Sequence, residues 1–279
     1  MVFLQGCPLR CPWCANPESQ FMQKQLMYSR SRCVRCGNCE GLCGKGAITR
    51  AEDGSPIFDR TRCNVCGACA EECLQNAIRF AGEERGVAEI IREVLRDRVY
   101  YEQSGGGLTV SGGEPFAQFD GLLSLIQTAK RNGLHTAVET CGQAPHEQFR
   151  ETIYWIDEVL FDLKHVDAKQ LQPVCDADFT VIRKNLEWLA RTYPESLTLR
   201  VPLIPGFNCD EITLCAMLEY VAGLGVKNID ILPYHNLGVD KYRQLDLPYT
   251  YQENHGDMRK MAEAVCEEYI RRGLQIHIS

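Results

Sequence analysis

No stretch of the 279-residue chain approaches the roughly 20 consecutive apolar residues needed to span a bilayer. No long basic run is present and the net charge is −7, so a sequence-independent grip on nucleic acid is not expected. The opening Met1–Gln5 is apolar but far too short for a secretory core segment, which points to a cytoplasmic protein. Apolar residues still make up 45% of the chain, enough for one large α/β domain with a small insertion.

What the chain has in excess is cysteine, 16 residues in all. In a small secreted domain these would read as disulfides; in a mid-sized chain with close spacings they point to metal. Eleven of the sixteen fall within Cys7–Cys73, whereas Cys141, Cys175, Cys209, Cys215 and Cys266 are scattered and read as structural.

Three zones follow from the patterning. Residues 1–20 open on a short strand, Val2–Leu4, that runs into a cysteine loop. Residues 21–81 are rich in cysteine and glycine and repeat internally. Residues 82–279 alternate helical and strand periods. Helices are expected at Val87–Tyr101, Phe119–Arg131, His146–Ile156, Asp178–Arg191, Glu211–Ala222 and His255–Arg272. Strands are expected at Gly107–Val110, Leu134–Thr140, Glu158–Lys164, Leu197–Leu203, Asn228–Pro233 and Leu274–Ile278. Such alternation implies parallel βαβ units, about six of them with the opening strand. Candidate polar residues follow the strand ends, where barrel enzymes build their sites. A partial (β/α)6 barrel, residues 1–20 with 82–279, therefore fits better than an open doubly wound sheet.

Cys7, Cys11 and Cys14 form a C-x3-C-x2-C loop. Three thiolates can hold three irons of a cubane and leave the fourth without a protein ligand. An open coordination position is what a metal centre needs to act on a substrate. A zinc site short of one ligand, or three buried free cysteines, are the bland alternatives.

Cys33, Cys36, Cys39 and Cys43 stand in C-x2-C-x2-C-x3-C spacing, and Cys63, Cys66, Cys69 and Cys73 repeat it 30 residues on. Gly37 and Gly67 recur, as do Ala47-Ile48 and Ala77-Ile78. This duplication resembles a bacterial two-cluster ferredoxin, in which the fourth cysteine of each run ligates the other cluster. The resemblance implies Cys33, Cys36, Cys39 and Cys73 for one [4Fe–4S] cluster and Cys63, Cys66, Cys69 and Cys43 for the second. Zinc is the alternative. Four thiolates per cluster leave no open iron, so these clusters would carry electrons or serve structure.

Further short motifs sit at strand ends: Ser111-Gly112-Gly113-Glu114-Pro115, Glu139-Thr140-Cys141-Gly142, Phe161-Asp162-Leu163-Lys164, Arg200-Val201-Pro202 and Pro233-Tyr234-His235. With the Cys7–Cys14 loop and Gly105-Gly106-Gly107, they resemble the radical S-adenosylmethionine (SAM) enzymes that activate glycyl radical enzymes. Pyruvate formate-lyase activase is the best known of these, and the insertion places the chain with the subset carrying two extra clusters. The resemblance implies three [4Fe–4S] clusters and SAM. It puts the catalytic cluster on Cys7, Cys11 and Cys14. Trp13 would lie against adenine, Gly112, Gly113 and Glu114 would hold the SAM amino group, and Lys164, Arg200 and His235 would contact its carboxylate and ribose. Asp162 with Glu139 and Thr140 would bind a monovalent cation. The implied partners are a glycyl radical enzyme and a flavodoxin or ferredoxin electron donor, with the activase itself a monomer. Family members usually carry a further stretch ahead of Val2-Phe3-Leu4, so a shortened first strand and docking surface are expected. Two other functions are compatible with the same residues: a radical SAM enzyme acting on a small molecule or peptide, and an inactive electron-transfer module.

Overall fold

The computed structural model describes residues 1–251 and 257–279. After β1 (Val2–Leu4) and the cysteine loop come β2 (Gln25–Tyr28), α1 (Asn38–Leu42), β3 (Ile48–Arg50), β4 (Pro56–Phe58), α2 (Ala68–Glu71) and β5 (Ile78–Ala81). The chain continues through α3 (Val87–Val94), α4 (Arg98–Ser104), β6 (Gly107–Gly112), α5 (Phe119–Arg131), β7 (His135–Thr140), α6 (His146–Thr152) and β8 (Glu158–Asp162). It ends with α7 (Ala168–Cys175), α8 (Phe179–Thr192), β9 (Leu197–Leu203), α9 (Glu211–Gly223), β10 (Asn228–Pro233), α10 (Val239–Gln244), α11 (Met258–Arg271) and β11 (Gln275–Ile278).

Seven strands form one parallel sheet in the order β1-β6-β7-β8-β9-β10-β11. The order follows the chain without reversal. Right-handed crossovers then place every connecting helix on one face, and the sheet curls with the other face inward. A doubly wound sheet would reverse midway. β1 and β11 are left as the two edges, so the barrel is partial. Strand β9 shows the two faces: Leu197, Leu199, Val201 and Leu203 are buried, and Thr198, Arg200 and Pro202 alternate with them on the other side.

Local chemistry sets the helix ends. Helix α5 stops where Gly133 takes a positive φ of 75°, and Leu134 N–H donates back to the Ala129 carbonyl. Asp178 and Asp210 cap α8 and α9 by accepting from Thr180 N–H at 2.8 Å and Thr213 N–H at 2.9 Å. The single helix expected over Val87–Tyr101 is instead broken by a 3-10 turn at Leu95–Asp97. The apolar stripe is interrupted after Leu95 by the charged Arg96-Asp97-Arg98, and beyond it Tyr101 alone of α4 packs against the core. Helix α7 was masked in the sequence by its internal Pro173, a helix breaker by composition. His255, where the last helix was expected to begin, lies outside the described residues; α11 starts at Met258.

The cysteine-rich segment pairs β2 with β5 and β3 with β4, both antiparallel. Its two halves repeat a short helix entered through a left-handed glycine, Gly37 at φ 81° and Gly67 at φ 96°. The Gln5 side chain donates to the Glu18 and Ala81 carbonyls, drawing together the two ends of the segment. Arg60 donates to the Leu26 carbonyl at 2.8 Å and the Gln244 carbonyl at 3.3 Å, which seats the segment against α10.

Candidate active site

The C-terminal ends of the parallel strands and the Cys7–Cys14 loop enclose one cleft of about 250 Å³. Cys7, Cys11, Cys14, Trp13, Gly112, Gly113, Glu139, Thr140, Asp162, Lys164, Arg200 and His235 all border it. Residues from six segments thus converge, because the parallel strands end on the same side of the barrel.

Backbone contacts shape the cysteine loop. Gly6 N–H donates to the Ser19 carbonyl at 2.8 Å, Glu114 N–H to the Gly6 carbonyl at 2.7 Å, and Arg10 N–H to the Cys175 carbonyl at 2.7 Å. Gly112 and Gly113 are needed for this approach: a Cβ on either would come within 2.2 Å of the Leu4 or Gly6 carbonyl oxygen. Their smallness admits β1 and the loop, where a ligand had been expected. Lys241 fastens the far side of the loop through Asn16 at 2.7 Å and Glu18 at 2.6 Å.

Glu114 is placed differently from the expected ammonium ligand. It is 1% exposed and faces inward. Its carboxylate accepts from Thr140 Oγ1 at 2.9 and 3.0 Å, Cys141 N–H at 2.8 Å and Phe116 N–H at 3.3 Å. Burial raises its pKa against these hydrogen bonds. Trp13 is buried between aromatic neighbours, its ring centroid 4.7 Å from Phe207 and 5.8 Å from Tyr251. It borders the cleft but also belongs to the core. His235 is exposed at the cleft rim.

The charged residues form a network set by strand register. Asp162 stands directly across from Arg200, and Glu139 points to the same face one strand further on. Arg200 Nε donates to Asp162 at 2.8 Å and Nη1 to Glu139 at 2.7 Å, while Lys164 Nζ donates to Asp162 at 3.1 Å. Burial works against the Asp162 charge, but Lys164 and Arg200 outweigh it and pull its pKa down. Burial likewise opposes the Lys164 charge, and Asp162 outweighs it, so Lys164 stays cationic.

Two residues that support the site, Cys175 and Asn208, escaped the sequence reading, and Cys141, read there as structural, borders the cleft. The Cys141 thiol lies beside Cys7 and the Cys175 thiol beside Cys11, close enough for each neighbour to shift its pKa. Asn208, fully buried, accepts from Ile204 N–H at 2.6 Å and donates to the Lys164 and Pro202 carbonyls at 2.8 Å, fixing the ends of β8 and β9. Cys141 comes with the strand-end motif at Glu139, whereas Cys175 and Asn208 carry no spacing signal and only packing brings them here.

The donor set suits an iron–sulfur cluster. Three thiols face a common cleft, and burial pushes the Cys14 thiol up to about 12, so metal loading must release its proton. In the cysteine-rich segment, Cys33, Cys36, Cys39 and Cys73 line one cavity and Cys43, Cys63, Cys66 and Cys69 another, with Cys69 bordering both. Among the described residues, no three Cys, His, Asp or Glu side chains close on a single-ion position.

Comparison with known proteins places this geometry. Residues 1–216 match the model of the radical SAM superfamily. The chain is 41% identical over 251 residues to the isethionate sulfite-lyase activating enzyme of Nitratidesulfovibrio vulgaris, covering 88% of this chain and 81% of that protein. It is 38% identical over 273 residues to the trans-4-hydroxy-L-proline dehydratase activating enzyme of Clostridioides difficile, covering 97% and 88%. A domain of the pyruvate-formate lyase-activating enzyme from Bacteroides vulgatus superposes with a TM-score of 0.51 at 28% identity, covering 62% of this chain and 99% of that one. The chain belongs to the radical SAM superfamily and, within it, to the activating enzymes of glycyl radical enzymes. It is therefore an enzyme with a [4Fe–4S] cluster and SAM as cofactors. It cleaves SAM to 5′-deoxyadenosine and methionine and takes a hydrogen from a glycine Cα of its partner.

Proposed function

We propose that Cys7, Cys11 and Cys14 hold the catalytic cluster, and that the cleft beside them binds SAM with its carboxylate toward Lys164. The observation that carries this reading is the meeting of three loop thiols with a largely buried cationic pair, Lys164 and Arg200, in one cleft. Lys164 spends one N–H on Asp162 and keeps donors for a carboxylate. When bound, the cluster and SAM supply the electron and the 5′-deoxyadenosyl group, while the protein supplies position and charge. Glycine suits such a partner site because no side chain obstructs its Cα.

The barrel comprises residues 1–20 and 82–279, and residues 21–81 carry two further clusters, three in all. The two cysteine-lined cavities support that reading. Cys36 and Cys66 are exposed, which suits docking of a flavodoxin or ferredoxin donor. The enzyme works as a monomer in the cytoplasm, a compartment that keeps thiols reduced. The activated partner is a lyase or dehydratase that expels a small leaving group, in line with the sulfite-lyase and dehydratase activated by the two relatives. The monovalent cation implied by the resemblance would meet competition, because every oxygen of Glu139 and Asp162 already accepts from Arg200, Lys164 or Ser111.

Anaerobic reconstitution, dithionite reduction and addition of SAM test the assignment. Wild-type protein is expected to form 5′-deoxyadenosine, and Cys11→Ala to form none while keeping the iron of the insertion. Equal product from both proteins would overturn it.

A further inference from the structure

The charged side chains of the cleft form a charge-balanced set. Glu139 and Asp162 bring two negative charges, and Arg200 and Lys164 two positive. Each of the four carboxylate oxygens has a donor. Glu139 Oε1 accepts from Arg200 Nη1 at 2.7 Å and Oε2 from Ser111 Oγ at 2.5 Å. Asp162 Oδ1 accepts from Arg200 Nε at 2.8 Å and lies 2.8 Å from Nη2, and Oδ2 accepts from Lys164 Nζ at 3.1 Å. Thr140 Oγ1, buried, donates to Glu114 and accepts from Gly142 N–H at 3.0 Å. A metal cation entering this group would compete with a fixed cation for the same carboxylates, in an ion pair whose members are only 16% and 18% exposed, Arg200 with Glu139.

We propose that the Arg200 guanidinium, held by Glu139 and Asp162, is the built-in counter-cation of the SAM site, so that SAM binding by this chain needs no alkali metal ion. The proposal rests on the reading of the cleft as the SAM site. Reach explains the residue choice. Glu139 lies on β7 and Arg200 on β9, with β8 between, so the side chains must bridge about 10 Å of sheet. Aspartate at 139 would fall short by about one carbon–carbon bond, ~1.5 Å, and lose the Nη1 contact, leaving the guanidinium held by Asp162 alone. The guanidinium is charged at every accessible pH and its fork matches two carboxylates at once, which a mobile ion does not.

The dissociation constant of SAM is measured anaerobically on the reconstituted full chain, with potassium, sodium or tetramethylammonium as the sole cation at matched ionic strength. The change that SAM induces in the electron paramagnetic resonance spectrum of the reduced cluster is recorded in the same samples. The wild type is expected to bind SAM within about twofold in all three salts. Glu139→Asp is expected to bind about tenfold more weakly in tetramethylammonium and to recover with potassium or sodium. A potassium or sodium dependence of about tenfold in the wild type would overturn the proposal while leaving SAM binding intact. A salt-indifferent Glu139→Asp would also overturn it. Absence of SAM binding in every salt would instead remove the reading of the cleft, and the proposal with it.

Discussion

Glu114 illustrates how one side chain can hold a site without facing it. Its partners, Thr140 Oγ1 and the Cys141 and Phe116 N–H groups, are all donors. A carboxylate accepts from each, whereas an amide would turn its NH2 toward one of them. Glu114→Gln is therefore expected to lower stability by about 1–3 kcal/mol, measured by urea unfolding. Glu114→Ala would strand the same buried donors and cost at least as much. Because Thr140 and Cys141 follow Glu139 at the end of β7, both variants are also expected to weaken SAM binding. Unchanged stability in Glu114→Gln would show that the inward carboxylate is not the tie it appears in the hydrogen-bond pattern.

At the scale of elements, Asp157 joins three of them. Its carboxylate accepts from Lys130 at the end of α5 at 2.6 Å and from Thr136 N–H near the start of β7 at 2.8 Å. Its own N–H donates to the Thr136 carbonyl at 2.9 Å just before β8 begins. Lys130 also sits in the last turn of its helix, where a cation is favoured. Burial works against the Asp157 charge, but Lys130 and Thr136 prevail and lower its pKa. A depressed carboxyl contributes stability above the unfolded value of about 3.9 and loses it as pH falls through the folded value. Asp157→Asn is expected to cost about 1–2 kcal/mol at neutral pH. The gap to the wild type should close as pH falls below the ordinary carboxylate range. Thermal melts of both proteins across that range check it; a gap independent of pH would mean that the charge is not what matters.

At the scale of the whole molecule, the cysteine-rich segment 21–81 carries its own predictions. Its two cavities mix cysteines from both repeats: Cys73 sits with Cys33, Cys36 and Cys39, and Cys43 with Cys63, Cys66 and Cys69. Cys43→Ser is therefore expected to alter the same cluster signal as Cys63→Ser, and Cys73→Ser the same signal as Cys33→Ser. Electron paramagnetic resonance of each reduced variant reads this directly. Cys43→Ser behaving like Cys33→Ser would mean that each run serves its own cluster. Replacing Cys63, Cys66 and Cys69 together should remove about four irons per chain and leave SAM binding at the barrel in place. The Arg60 contacts with Leu26 and Gln244 predict that the apo insertion stays seated on α10.

Sequence alone determined the class of protein and the architecture. The Cys7, Cys11 and Cys14 spacing, the doubled cysteine run and the strand–helix alternation are all local in the chain. Local patterns survive folding unchanged, so the parallel sheet and the family were legible there. The helix break at Leu95–Asp97 and helix α7 were not, because a fading apolar stripe and an internal proline only resolve against the sheet they pack on. Only tertiary structure decided which partners the site residues have. Glu139, Asp162 and Arg200 come together through parallel register across three strands. Cys141 and Cys175 meet Cys7 and Cys11 through loop packing. Glu114 turns inward because the donors of β7 wait there. A motif states which side chains stand at a strand end; their distances to side chains on other strands are set only when the sheet closes around them.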